Sequence, residues 1–109
     1  MLRTVFMGTA PFAVPCLRAM VEAGHPVVSV VSQPDRPRGR GMQLTPSAVK
    51  AAALELGLPV LQPEKASQPE FIQQLRDLQP QAIVVVAYGQ ILRPAVLEIP
   101  PLGCINVHG

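Results

Sequence analysis

The sequence predicts a doubly wound α/β domain built on a mostly parallel sheet. Short apolar runs without polar alternation recur along the chain, which is typical of strands covered on both faces. Segments with helical spacing separate these runs, so the order is β-α-β-α-β-α-β-α-β without a repeat or a linker. The chain has 109 residues, of which 49% are hydrophobic. It is therefore long enough for one such domain and too apolar to be disordered.

The five predicted strands are short apolar runs that end at a glycine or a polar turn. They span residues 4–7, 27–31, 58–62, 82–86 and 104–107. Only two residues follow the last strand, and no helix remains to cover it. We therefore expect residues 1–109 to be a truncated domain that is incomplete on its C-terminal side.

Capping residues and apolar stripes define the helices between the strands. The first spans residues 11–23, with Val14, Leu17 and Val21 on one face. The second is expected to begin with Thr45 as its N-cap and Pro46 at the first helical position. A third opens with a capping box at residues 67–70, and a short helical turn covers residues 94–98.

Residues 33–44 form the longest segment without hydrophobic periodicity, and their prolines and glycines predict an irregular loop. Arg36, Arg38 and Arg40 against Asp35 give this segment a charge of +2, which equals the net charge of the chain. Guanidinium groups pair bidentately with phosphate oxygens, and long loops often carry function. The segment is interpreted as a phosphate or RNA-backbone contact, with a solvated surface loop as the alternative.

Several classes of protein are disfavoured by what the chain lacks. The turn at residues 8–12 has one glycine and does not match the dinucleotide fingerprint G-x-G-x-x-G. The longest apolar run, residues 82–88, is far shorter than a membrane span requires. Cys16 and Cys104 stand far apart, without a metal-binding spacing, and the N-terminus reads as a strand. We therefore expect a reduced, cytoplasmic protein with no metal and no membrane partner.

Two segments that follow predicted strands are the candidate chemical sites. Asn106 and His108 stand two apart at the end of the fifth strand and project to one face. A neutral histidine exchanges protons near pH 7, and an asparagine amide can donate to a developing oxyanion. A satisfied structural pair is the alternative. After the fourth strand, Gly89 permits a close backbone approach, and Ile91 and Leu92 could line a flat aromatic ring or be ordinary core residues.

The chain resembles the N-terminal part of the catalytic domain of the methionyl-tRNA formyltransferase family. The matching segments are residues 6–9 (FMGT), 12–15 (FAVP), 33–37 (QPDRP), 39–41 (GRG), 46–47 (PS), 84–89 (VVVAYG) and 102–109 (LGCINVHG). The Asn-x-His pattern is shared by the wider formyltransferase fold, including glycinamide ribonucleotide formyltransferase and formyltetrahydrofolate hydrolase. The Gln-Pro-Asp-Arg-Pro segment is more specific to the Met-tRNA branch.

The resemblance implies transfer of a formyl group from 10-formyltetrahydrofolate to the amino group of methionine on initiator tRNA. It implies that Asn106 and His108 belong to a catalytic Asn-His-Asp set, in which the asparagine binds the oxyanion and the histidine helps to move protons. The implied folate-contacting residues are Val86, Ala87, Tyr88, Gly89, Gln90, Ile91 and Leu92. Arg36, Arg38 and Arg40 are implied to meet the tRNA acceptor stem. The resemblance also implies a monomer when the protein is intact.

The chain departs from the family pattern in two places. Ala10-Pro11 stands where the family commonly has proline followed by an acidic residue. The sequence also ends before the family's Ser-Leu-Leu-Pro folate segment, its catalytic Asp and its C-terminal tRNA-binding domain. We expect the 109 residues to be inactive and poorly stable alone. The alternatives are another folate-dependent or sugar formyltransferase, formyltetrahydrofolate hydrolase, or a non-enzymatic nucleotide- or RNA-binding module.

Overall fold

A computed structural model describes residues 2–107, with Arg38 and Arg40 described by their backbone alone. The strands are β1 (Thr4–Gly8), β2 (Val27–Val31), β3 (Arg36–Arg38), β4 (Gln43–Thr45), β5 (Val60–Leu61), β6 (Ala82–Val86) and β7 (Cys104–Val107). The α-helices are α1 (Val14–Glu22), α2 (Ala48–Glu55), α3 (Pro69–Asp77) and α4 (Pro94–Leu97), and 3-10 turns span Pro11–Ala13 and Arg40–Met42.

Five parallel strands form the central sheet in the order β5-β2-β1-β6-β7. The chain builds outward from β1 in one direction through β2 and β5, and then in the other through β6 and β7. This arrangement confirms the predicted doubly wound α/β class. The direction of building reverses between β1 and β6, where Gly8 lies in register with Val86. Ligands of such sheets bind at the carboxyl ends of the strands beside this reversal.

Alternate residues of the strands contribute their side chains to two apolar layers, one on each face of the sheet. Val5 and Met7 of β1 pack with α3 residues Phe71 and Leu75. Phe6, between them in sequence, packs on the other face with residues of α1 and α2. Coverage on both faces explains why the strands read as continuous apolar runs and not as alternating ones.

The end of β1 requires a residue without a side chain. A Cβ added at Gly8 would lie 2.9 Å from the Val86 carbonyl oxygen and 2.8 Å from Cε1 of Phe6. The Val86 carbonyl belongs to the neighbouring strand and cannot move aside without disturbing the pairing of β1 with β6.

We predict that Gly8→Ala lowers the free energy of unfolding by about 1–3 kcal/mol, the usual cost of overpacking a filled core. Denaturant unfolding of the two proteins measures the difference. A Gly8→Ala variant as stable as the parent would contradict the close approach of the two strands.

The predicted irregular loop at residues 33–44 is wrong, because the segment contains a small antiparallel hairpin. Residues 36–38 pair with residues 43–45, and Pro37 lies opposite Leu44. Positive φ angles of 67° at Gly39 and 80° at Gly41 form the turn between them. The glycines therefore build the element that they were expected to prevent. We call β3, β4 and their connection the hairpin.

Two predicted helix starts are also wrong. The second helix is capped by Ser47, whose Oγ accepts a hydrogen bond of 3.0 Å from the Lys50 N–H, whereas Thr45 belongs to β4. Ser47 is buried, and its hydroxyl also contacts that of Ser32, which fixes it at the helix end. The third helix has Gln68 at its N-cap without a side-chain capping bond, so the predicted capping box does not form.

The fifth predicted strand is present as β7 and forms one edge of the described sheet. It pairs with β6, from Ile83 opposite Cys104 to Val86 opposite Val107. Its Ile105 side chain is 57% exposed. An apolar edge strand of this kind is open to further pairing.

Candidate functional site

The loops at the carboxyl edge of the sheet are joined through Thr9, which directly follows β1. The N–H groups of Thr9 and Ala10 donate to the Ala87 carbonyl at 3.0 and 3.3 Å. The Thr9 hydroxyl donates to the Tyr88 carbonyl at 2.6 Å and accepts from the Gln33 N–H at 3.3 Å. One short side chain therefore ties together the turns that follow β1, β2 and β6.

The turn after β6 has a backbone shape that few residue types adopt. Ala87 has a φ of 48° and Gly89 a φ of 100°. A positive φ at alanine costs free energy and persists where surrounding contacts enforce it. Here the two amide donors on the Ala87 carbonyl and the Thr9 hydroxyl on the Tyr88 carbonyl supply those contacts.

Two adjoining clefts open on either side of the segment 87–89, which lines both. The first, which we call the β7-side cleft, has a volume of about 380 Å³ and is also lined by Phe12, Gln90, Ile91, Asn106 and Val107. The second, the hairpin-side cleft, has a volume of about 300 Å³ and is also lined by Thr9, Gln33, Arg36, Thr45 and Ser47. The candidate site is therefore a double cleft at the reversal point of the sheet.

Asn106 borders the β7-side cleft, in register with Val85 of β6. Its side chain is exposed, and its amide makes no hydrogen bond to any residue within 2–107. No residue of the described part of the chain therefore occupies its amide donors. His108, the other predicted catalytic residue, lies outside the described residues.

The predicted folate-contacting residues divide between the cleft and the core. Ala87, Tyr88, Gly89, Gln90 and Ile91 line the β7-side cleft, and the Ile91 side chain is 94% exposed. Val86 is fully buried between the sheet and α1 and α2, and Leu92 packs against the layer that contains α3. Neither residue lines the β7-side cleft, so the predicted contact of these two side chains with a ligand there is wrong.

Tyr88 meets the clefts through its backbone, because its side chain is 2% exposed and belongs to the layer that contains α3. Burial raises the pKa of its hydroxyl to about 12, so the group is neutral at physiological pH. This hydroxyl has no hydrogen-bond partner among the described residues.

The three predicted tRNA-contacting arginines all lie in the hairpin. Arg36 begins β3, borders the hairpin-side cleft and has Nη2 3.4 Å from Oε1 of Gln33. The backbone of Arg38 ends β3, and that of Arg40 begins the 3-10 turn. The charged segment is thus attached directly beside the candidate site.

Sequence reasoning missed Gln33 as a site residue and missed how the Gln90 side chain is used. Gln90 Nε2 donates to Gln33 Oε1 at 2.9 Å and to the Glu64 carbonyl at 2.8 Å. Its Oε1 accepts from the Ala66 N–H at 2.9 Å. The available signal was position, because Gln33 and Gln90 both follow a predicted strand at the carboxyl edge.

We predict that Gly89→Ala loosens this amide network. A Cβ at Gly89 would lie 3.1 Å from Gln33 Nε2, and the φ of 100° is unfavourable for alanine. Hydrogen exchange at the Ala66 amide, which donates to Gln90, should therefore accelerate. Gly57→Ala is the matched control, since Gly57 also has a positive φ, of 71°, and nothing lies within 4 Å of a Cβ built there. Equal exchange at Ala66 in both variants would contradict the prediction.

An ion pair holds the root of the hairpin against the sheet. Lys50 Nζ lies 3.1 Å from both carboxylate oxygens of Asp35, and Gln62 Nε2 donates to Oδ1 at 2.8 Å. The side chains of Lys50 and Asp35 are 20% and 30% exposed. The hydrogen bond from Gln62, followed by that from Lys50, lowers the pKa of Asp35 below its ordinary value of 3.8.

We predict an acid-sensitive contribution to stability from Asp35. Because its folded pKa is depressed, the contribution is present above the ordinary pKa and is lost as pH falls through the lowered value. Asp35→Asn should therefore reduce the stability difference between neutral and acid solution. Denaturant unfolding of both proteins at pH 7 and at pH 2.5 measures this stability difference. An identical pH dependence in both proteins would contradict the ion pair.

The described part of the chain lacks two kinds of feature. Within residues 2–107, no helix combines the length and the hydropathy needed to cross a membrane. The same residues contain no cluster of three or more His, Cys, Asp or Glu side chains placed to bind a metal ion.

The sheet order defines the class of the molecule as a doubly wound α/β domain, and the double cleft lies at its reversal point. Comparison with known proteins gives the family. The model of the formyl transferase family matches residues 2–109, and the chain belongs to that family.

The curated relatives are named methionyl-tRNA formyltransferase. The protein from Pelotomaculum thermopropionicum is 59% identical over 107 residues, which are 98% of this chain and 34% of that protein. The protein from Chloroflexus aggregans is 58% identical over 107 residues, or 35% of its length. The chain therefore spans about one third of the length of these relatives.

Solved structures share the fold at low sequence identity. Phosphoribosylglycinamide formyltransferase from Streptococcus pneumoniae superposes with a TM-score of 0.71 at 17% identity, covering 99% of this chain and 57% of that one. The enzyme of the same name from Bacillus halodurans superposes with a TM-score of 0.70, also at 17% identity. The match covers 97% of this chain and 55% of that one. At this identity the likeness concerns the fold alone.

Proposed function

We propose that this chain forms part of the transfer centre of an enzyme that moves a formyl group from 10-formyltetrahydrofolate to the amino group of methionine on initiator tRNA. The double cleft carries the proposal. Asn106 borders one cleft and Arg36 the other, and both clefts share the segment 87–89. The name shared by the relatives supports the choice of acceptor.

The β7-side cleft is the proposed folate site. Its volume of about 380 Å³ lies within the range of small-molecule pockets. Phe12 and Ile91 expose apolar surface beside backbone groups of the turn after β6, a combination suited to a flat heteroaromatic ring with polar edges. The bound folate supplies the formyl group, and no metal is part of the proposal.

Asn106 is the proposed oxyanion donor. As the methionyl amine attacks the formyl carbon, negative charge develops on the formyl oxygen, and an amide N–H aimed at that oxygen stabilises it. The new C–N bond forms to the amine, and the bond to the folate nitrogen breaks. That nitrogen gains a proton as the amine loses one. His108 is proposed to assist this proton movement.

The hairpin-side cleft is the proposed approach of the tRNA end. Arg36 brings a cation to its rim, and Thr9 and Thr45 contribute to its lining. Arg38 and Arg40 follow along the hairpin and are proposed to contact acceptor-stem phosphates. A monomeric, cytoplasmic enzyme is proposed, in keeping with tRNA and folate as its partners.

Residues 1–109 are proposed to correspond to the N-terminal part of the catalytic domain. The relatives are about three times as long, and the rest of their length is proposed to supply the remaining cleft walls, a catalytic Asp and a tRNA-binding domain. A chimaera in which this chain replaces the matching segment of the Pelotomaculum protein provides those parts. We call this protein the chimaera.

Titration with tetrahydrofolate and with uncharged initiator tRNA tests the proposal. We expect the chimaera to bind both ligands, and Ile91→Ser to weaken the binding of tetrahydrofolate alone. Leu54→Ser is the matched control, because Leu54 is exposed on α2. Binding of tRNA without folate would indicate an RNA-binding module. Binding of tetrahydrofolate without tRNA would indicate another folate enzyme. Binding of neither ligand would overturn the proposal.

A further inference from the structure

A side-chain hydrogen bond crosses from one cleft to the other. Gln33 lines the hairpin-side cleft and Gln90 lines the β7-side cleft. Their amides meet through Gln90 Nε2 and Gln33 Oε1 at 2.9 Å, although the residues are 57 positions apart in sequence. A change in the position of either amide therefore alters a contact with a residue that lines the other cleft.

The shared oxygen also contacts the hairpin. Gln33 Oε1 accepts from Gln90 and lies 3.4 Å from Arg36 Nη2, so two donors from different loops converge on one atom. The contact with Arg36 is longer than a strong hydrogen bond, whereas the contact with Gln90 has ordinary length. Arg36 is thus the donor that a competing anion removes more easily.

The backbone of Gln33 is held in place independently of its side chain. Its N–H donates to the Thr9 hydroxyl at 3.3 Å, and its carbonyl accepts from Gln62 Nε2 at 3.3 Å. On the other side, the Glu64 carbonyl and the Ala66 N–H engage both ends of the Gln90 amide. The movable part of this network is therefore the Gln33 side chain and the Arg36 contact.

We infer that Gln33 is a positioning residue that couples the two clefts. A phosphate that binds Arg36 leaves Oε1 of Gln33 to Gln90 alone, which holds the movable Gln33 side chain against Gln90 at the wall of the β7-side cleft. Anion binding on the hairpin side then favours ligand binding on the other side. This inference rests on the proposed function, because it assigns RNA to the first cleft and folate to the second.

The coupling is measured as the ratio of the dissociation constants for tetrahydrofolate without and with saturating uncharged initiator tRNA. We expect a ratio of about five in the chimaera, near the low end of typical coupling between sites. Gln33→Met keeps the length of the side chain and removes the acceptor, so the ratio should fall to one. Gln33→Glu keeps an acceptor for both donors but pairs with Arg36 in competition with the phosphate, so its ratio should lie between one and the parental value.

Gln74→Met on the exposed surface of α3 is the matched control and should retain the parental ratio. Folding of each variant is checked by circular dichroism. A ratio of one in the parent protein, or an unchanged ratio in Gln33→Met, overturns the inference while leaving the proposed function intact. Failure of the parent to bind either ligand overturns the proposed function as well, so the two failures are distinguishable.

Discussion

Replacing Asn106 or His108 by alanine in the chimaera is expected to lower kcat by about 100-fold or more with little change in either KM. Asn106 borders the β7-side cleft with its amide unengaged by any residue within 2–107. Removing one donor from a developing oxyanion typically costs two to three orders of magnitude in rate. Steady-state formylation of Met-tRNA measures kcat and both KM values.

Ile105→Ala is the matched control for the Asn106 variant. Ile105 lies on the same strand and faces the opposite side of the sheet from Asn106, so its truncation should leave kcat close to the parental value. A nearly normal kcat in both the Asn106 and the His108 variants would remove these residues from the transfer step.

Replacing Arg36, Arg38 and Arg40 together by alanine is expected to raise KM for Met-tRNA and to flatten its dependence on salt. Each phosphate contact contributes roughly 0.7–0.9 to the slope of log affinity against log salt concentration. Loss of three contacts should therefore reduce the slope by about 2–3. Measuring KM for Met-tRNA across a series of salt concentrations gives this slope directly.

Alanine replacement of Arg18, Arg76 and Arg93 is the control with the same change in net charge. These arginines lie outside the hairpin, in α1, in α3 and directly before α4. Loss of these three arginines should leave the salt dependence of KM for Met-tRNA largely unchanged. An equal loss of slope in both triple variants would assign the effect to net charge. A selective rise in KM for the folate would assign the hairpin to the other ligand.

The hydrophobic pattern sufficed for the inner strands β1, β2 and β6 because they are covered on both faces. Runs such as residues 82–86 have no polar face, and the helices between them carry regular apolar stripes. The hairpin was not predicted because its strands have three residues each, which is too few to show a hydrophobic period. Its glycines and prolines indicated only that the chain turns.

Helix starts were harder to predict because Thr45 and Ser47 are both capping residues. Ser47 is the N-cap in the structure because it is buried and its hydroxyl contacts that of Ser32. This contact joins two separate segments and cannot be inferred from the sequence pattern. The position of Asn106 beside a cleft was predictable, because the residue lies at the carboxyl end of a predicted strand. The amide pair of Gln33 and Gln90 was not, because it is a contact between two loops far apart in sequence.

Formyl transfer by the chimaera to two competing acceptors tests the central claim most directly. Met-tRNA and glycinamide ribonucleotide are supplied together with 10-formyltetrahydrofolate, and the formylated products are quantified. The double cleft with its cationic hairpin predicts transfer to Met-tRNA alone, and loss of that transfer in Asn106→Ala. Transfer to glycinamide ribonucleotide, or transfer to Met-tRNA that does not depend on Asn106, would contradict the account.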